Sequence, residues 1–181
     1  MEPSELNIPV ITLYRYFAYA AQMRRLFVDS VDEGWLDVMT PDIQGMLAFF
    51  YSAPGIYLLY SYSGIYLVIE GWQDLGLRDD RIDKLLESPF VGRLRRFRNA
   101  TFHYQKEPLS RKHLEFFGTE EEQTEEWLNM LYREFERFFA ENTLPIPESL
   151  KTKMRSATPS AIARLVRDYW SSQPDDLDLF E

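Results

Sequence analysis

The chain reads as an all-α protein, a bundle of about five to seven helices. Two apolar stripes carry that reading. Phe90, Leu94, Phe97, Thr101 and Tyr104 form one, and Trp127, Leu128, Leu131, Phe135 and Phe138 the other. Such steps gather side chains on one face of a helix with about 3.6 residues per turn. Helix-start signals are the second observation: Thr40-Pro41-Asp42, Ser88-Pro89, and Thr119 with Glu122 each precede an apolar run.

The first helix is expected over residues 10–29, with Leu13, Phe17, Ala20, Ala21 and Phe27 inward and Gly34 closing the region. Thr40 would cap the second, with Pro41 in the first turn and Asp42 toward the positive end of the dipole. The tyrosine-rich run after Pro54 is ambiguous. Ile56–Tyr60 and Ile65–Ile69 have strand propensity, and Ser61–Gly64 would serve as a hairpin turn. The helical company on either side decides for helix there.

Ser88-Pro89 should open the next helix, and Lys106-Glu107-Pro108 should end it. A short piece spans about Arg111 to Phe117 and stops at Gly118. Thr119 and Glu122 make a capping box for a helix running to about Glu141. Past Asn142, Pro145 and Pro147 break the chain, and a last helix is expected from Pro159 to Ser171 with Ile162, Leu165, Val166 and Tyr169 inward. The organisation is therefore a bundle over 1–143 and a helical appendage over 144–181 with an acidic tail.

Bulk numbers narrow the function. At 181 residues and 45% hydrophobic, the chain can bury a core without covalent staples. The absence of cysteine excludes a disulfide framework, a thiolate metal site and a cysteine nucleophile, and suits a reducing cytoplasm. No Glu-x-x-His pair or other metal-ligand spacing appears, and no phosphate-cradling glycine loop, so neither metal nor cofactor is expected. The run from Glu120 to Glu126 reads as dipole and capping chemistry at a helix start. A net charge of −9 disfavours general nucleic-acid binding, which relies on neutralising phosphates, but allows contact through a local basic patch. The start, Met1-Glu2-Pro3-Ser4-Glu5, has no basic n-region beside an apolar stretch, so no secretory signal is expected. Residues 43–69 carry no charge and are long enough for a bilayer, yet Pro54, three glycines and five tyrosines interrupt them. A buried element is expected there, without contact with a membrane.

The chemistry concentrates in Arg98-Asn99-Ala100-Thr101-Phe102-His103, which holds one of only two histidines. Histidine has an unperturbed pKa of about 6.5, suited to proton transfer near neutrality. Arginine is a permanent cation whose planar fork matches a phosphate. Arg93, Arg95 and Arg96 add cations just upstream. On an ideal helix Asn99 and His103 lie about 40° apart, whereas Arg98 is about 140° round from His103. One helix therefore aims Arg98 and His103 differently, and two copies across a twofold axis would bring them to one cleft.

Arg98-Asn99 followed by three residues and His103 resembles the motif of the HEPN superfamily. Val68-Ile69-Glu70-Gly71-Trp72, Leu94-Arg95-Arg96-Phe97-Arg98-Asn99 and Phe102-His103-Tyr104 are similar to its members as well, over roughly residues 10–140. The resemblance implies a helical homodimer in which two motif copies line a groove. It also implies, for active members, metal-independent ribonuclease activity. By carry-over His103 moves a proton, Arg98 holds the scissile phosphate and Asn99 positions one of them. Arg95 and Arg96 would widen the RNA-binding surface. Members silenced by a partner nucleotidyltransferase carry a tyrosine two residues after the histidine, where this chain has Gln105.

The competing reading is a non-catalytic binding or scaffold module with a protein partner. In it His103 is a plain surface histidine, the arginines form a solvated face, and Arg98 is tied to Glu70. His113 reads as a surface residue in either case. The tyrosines between 51 and 66 read as core, with base stacking as the alternative.

Overall fold

A computed structural model describes residues 8–31, 40, 42–117, 121–142 and 158–172. All the regular structure among these residues is helical: α1 Ile8–Val31, α2 Ile43–Tyr51, α3 Ala53–Asp74, α4 Asp80–Leu86, α5 Phe90–Phe102, α6 Arg111–Phe117, α7 Glu121–Asn142 and α8 Pro159–Ser172. The chain divides into two compact units, Met1–Thr143 with α1–α7 and Leu144–Glu181 with α8. In the second unit Thr158 Oγ1 accepts from the Ala161 N–H at 3.3 Å, a hydroxyl cap on α8. The side chains of Ile162, Leu165, Val166 and Tyr169 lie outside the described residues, as do Gly34, Gly118, Thr119 and the acidic tail.

The long uncharged run is two helices. Ser52 ends one and begins the next, with its backbone extended. Its hydroxyl donates to the Phe49 carbonyl at 2.6 Å and accepts from the Gly55 N–H at 3.2 Å. Pro54 then occupies the first turn of α3, where its missing N–H costs nothing. Residues 61–64, the candidate hairpin turn, lie inside α3. Helix wins over strand propensity because Leu58, Ser61, Ile65, Val68, Ile69 and Trp72 are all buried at helical spacing. Among the described residues no helix is long and apolar enough to cross a membrane.

Helix α3 is the centre of the bundle. Gly64 lies so close to α1 that a Cβ there would stand 3.0 Å from the Ala20 Cβ, and one on Gly71 would meet Leu13. A step of seven residues along α3 thus matches a step of seven back along α1, so the two helices run antiparallel. Phe17 packs on Tyr132, Phe135 and Phe139 of α7, with ring centroids 5.2–6.3 Å apart. All five members of the α7 stripe are buried. The Tyr132 hydroxyl fastens α7 to α3, donating to the Ser61 carbonyl at 3.0 Å and meeting Ser61 Oγ at 2.7 Å.

Several helix ends differ from the sequence expectation. Asp42, rather than Thr40, caps α2: its carboxylate accepts from the Gly45 N–H at 2.8 Å, while the Thr40 hydroxyl donates to that carboxylate at 2.9 Å. An acceptor with two oxygens can serve both groups. Helix α4 was not anticipated. Asp79 caps it by accepting from Arg81 N and Ile82 N, and Ile82 is fully buried. Arg137 of α7 reaches Asp79 at 2.7 Å and Glu134 at 2.8 Å, tying α4 to α7.

The end of α5 matters most. The helix stops at Phe102, four residues before Lys106, because His103 turns extended (φ −110°, ψ 138°) after its N–H closes on the Asn99 carbonyl at 3.1 Å. The chain must turn back at this point so that α6 can pack against α5. Phe90, Leu94 and Phe97 are buried as expected, but Tyr104 is 92% exposed and does not extend the stripe.

Candidate functional site

The motif residues sit on the last turn of α5 and the loop that follows. Arg98 is held on three sides. One terminal nitrogen donates to the carboxylate of Glu70 on α3, the other donates to Asn99 Oδ1 at 3.0 Å, and the guanidinium lies 5.6 Å from the centre of the Tyr66 ring. Its Nε is buried with no hydrogen-bond partner. The side chain is 22% exposed and that of Glu70 33%, so the pair is partly open to solvent. Burial, followed by the Glu70 charge, pushes the Tyr66 hydroxyl above its ordinary pKa and keeps it neutral.

Asn99 thus orients Arg98 through its amide oxygen. His103 is exposed and lies beyond the helix, which corrects the expectation that it continues the helical face of Asn99. Its carbonyl accepts from Gln105 Nε2 at 2.7 Å, so its backbone is tied on both sides while its ring is open. Arg95 and Arg96 are both exposed. Arg96 turns toward α6, with Nε 3.5 Å from a Glu115 carboxylate oxygen, each side chain about half exposed.

Within one chain the structure does not unite Arg98 and His103. His103 opens into a hollow of about 350 Å³ beneath the end of α5, shared with Thr101, Tyr104, Glu107, Ser110 and His113. Arg98 does not line it. Both histidines of the chain do.

The position of His113 overturns the surface reading. Its ring stacks on Phe50 of α2 with centroids 5.5 Å apart and meets Phe97 edge-on at 4.7 Å. Its Nε2 is hydrogen-bonded to Thr101 Oγ1 at 3.1 Å. Burial pushes its pKa down to about 4, so the ring is neutral at pH 7. A signal was present: His113 stands three residues before Phe116, which is 1% exposed, and residues three apart share a helix face.

Phe102, which also lines the hollow, packs edge to face with Tyr60 at 5.8 Å, and both rings are exposed. Among the described residues no three histidine, aspartate or glutamate side chains gather closely enough to hold a metal ion. In comparisons with known proteins, no family model, no curated protein and no solved structure matches this chain.

Proposed function

We propose that the chain is a HEPN-like helical module with metal-independent endoribonuclease activity, working as a homodimer in a reducing cytoplasm. The observation that carries this reading is that one six-residue motif holds both an exposed, backbone-tethered His103 and an Arg98 whose guanidinium is already oriented. Electrostatic catalysis works best when the charged group is fixed before the reaction and pays no reorganisation. Arg98, held by Glu70, Asn99 and Tyr66, meets that requirement.

Cleavage would follow the ordinary course of RNA transesterification. A base removes the 2′-hydroxyl proton and O2′ attacks phosphorus. The bond to the 5′-oxygen then breaks as an acid protonates it. The products are a 2′,3′-cyclic phosphate and a 5′-hydroxyl, and no metal is required. Two His103 rings across a twofold axis supply base and acid, and Arg98 steadies the charge on the phosphoryl oxygens. Arg95 and Arg96 extend the phosphate contact on an otherwise acidic chain.

The test is incubation of mixed single-stranded and structured RNAs in EDTA with wild type, His103→Ala and Arg98→Ala. Cyclic-phosphate ends that vanish in both variants support the reading. Silence of wild type, or equal cutting by all three, removes it. A second reading, a non-catalytic binding or scaffold module for a protein partner, is favoured by one observation. The Arg98–Glu70 pair gives that arginine a purely structural occupation.

A further inference from the structure

We propose that the hollow beneath the end of α5 is a nucleobase subsite, holding the base of the nucleotide whose phosphate lies at His103. This rests on the ribonuclease reading for its place in a reaction, but the hollow itself stands on separate observations.

Its size comes first. About 350 Å³ falls at the lower end of the range for small-molecule pockets, enough for a base with part of its sugar. The chemistry of its lining comes second. None of the residues that line it is a lysine or arginine, and Glu107 contributes a carboxylate. The lining thus gives an anion no cationic partner, and a phosphate belongs at the mouth, where His103 is exposed. What the interior offers is hydrogen bonding: the Ser110 hydroxyl, the Glu107 oxygens and the acceptor capacity left on Thr101 Oγ1, which already donates to the Phe97 carbonyl and meets His113 Nε2. That set suits an uncharged planar group carrying N–H donors and ring acceptors.

The third observation is Tyr104. An aromatic ring 92% exposed at the rim contributes nothing to the core, and flat rings of this kind stack on bases. The region is also rigid where rigidity serves recognition. His113 is wedged between Phe50 and Phe97 and bonded to Thr101, so the floor of the hollow is built before a ligand arrives. A base can enter such a hollow only when unpaired and unstacked, which makes single-stranded RNA the substrate class.

With only two histidines in the chain, the imidazole proton signals of untagged protein report the site directly. Adenosine, cytidine, guanosine and uridine 5′-monophosphates are titrated in turn, with inorganic phosphate as control. A base in the hollow moves both the His103 and His113 signals with one dissociation constant, whereas inorganic phosphate moves His103 alone. Tyr104→Ala weakens nucleotide binding by about tenfold, the size of one lost stacking contact. Glu107→Gln changes the order of preference among the four nucleotides. If His113 stays unmoved by every nucleotide, or Tyr104→Ala binds as wild type does, the subsite is refuted. Nucleotide binding at both histidines without RNA cleavage refutes the ribonuclease reading and leaves the subsite standing. Cleavage without a His113 response does the reverse.

Discussion

Arg98 and Glu70, 28 positions apart, form an ion pair across the α3–α5 seam, and the arginine is the first residue of the only motif that suggested chemistry. The pair joins a structural contact to a functional candidate, and the two roles can be separated. Asn99 and Tyr66 complete the cage, so the guanidinium is oriented by groups from both helices.

A double-mutant cycle with Glu70→Gln and Arg98→Lys measures how strongly the two side chains are coupled. For a partly exposed pair with hydrogen-bonded geometry the coupling should be about 1 kcal/mol, read from urea unfolding curves. Raising the salt concentration should reduce it. A coupling near zero would mean that Tyr66 and Asn99 alone fix the arginine.

His113 makes stability depend on pH in a defined direction. The unfolded residue titrates near 6.5 and the folded one near 4, so between those values the unfolded state binds more protons. The contribution is fully present above pH 6.5 and is lost as pH falls through about 4. The loss should be of the order of 1–3 kcal/mol, and His113→Gln should flatten the stability profile between pH 6.5 and 5. Glu134, whose carboxyl is held below its ordinary pKa by the hydrogen bond from Arg137, acts only at lower pH. A wild-type profile that matches the variant across that window would show that His113 is not desolvated.

The α1–α3 seam depends on the missing side chain at position 64. Ala in place of Gly inside a helix ordinarily stabilises by up to about 1 kcal/mol. At Gly64 the new methyl would press on Ala20, whose Cβ and Cα cannot rotate away, and overpacking costs about 1–3 kcal/mol. Gly64→Ala should therefore lower stability by roughly 1 kcal/mol. Gly92→Ala, where nothing stands within 4 Å, should raise it slightly. Thermal melts of the two variants distinguish packing from propensity.

Tyr132→Phe tests the polar fastening between α3 and α7. The substitution keeps the ring and removes the hydroxyl, leaving the fully buried Ser61 Oγ without its Tyr132 partner. The expected cost is about 1–2 kcal/mol. The double variant Ser61→Ala with Tyr132→Phe should recover part of that loss, since no buried hydroxyl then stands unpaired. Denaturant midpoints of the three proteins decide it.

The helical class and most of its elements were legible in the chain, because apolar spacing and capping residues are local signals. The Trp127-to-Phe138 stripe is buried throughout, and of the other stripe Phe90, Leu94 and Phe97 are buried, while Thr101 is only half-buried and Tyr104 is exposed. Strand or helix at residues 54–70 could not be decided locally. An element buried on most of its surface shows no contrast between faces, and only packing against α1, α5 and α7 chose the helix.

The candidate site divides in the same way. Residue order alone put Arg98, Asn99 and His103 within six positions, and their chemistry follows from their identity. Where they point was a tertiary outcome. The return of α6 onto α5 ends the helix at Phe102 and takes His103 off its face. The same turn buries His113 beside Thr101, although its neighbours Arg111, Lys112 and Glu115 are exposed and mark a surface segment. Short-range sequence determines which groups are near one another along the chain. Which of them share a cavity depends on contacts among α2, α5 and α6, and these are made only when the bundle closes.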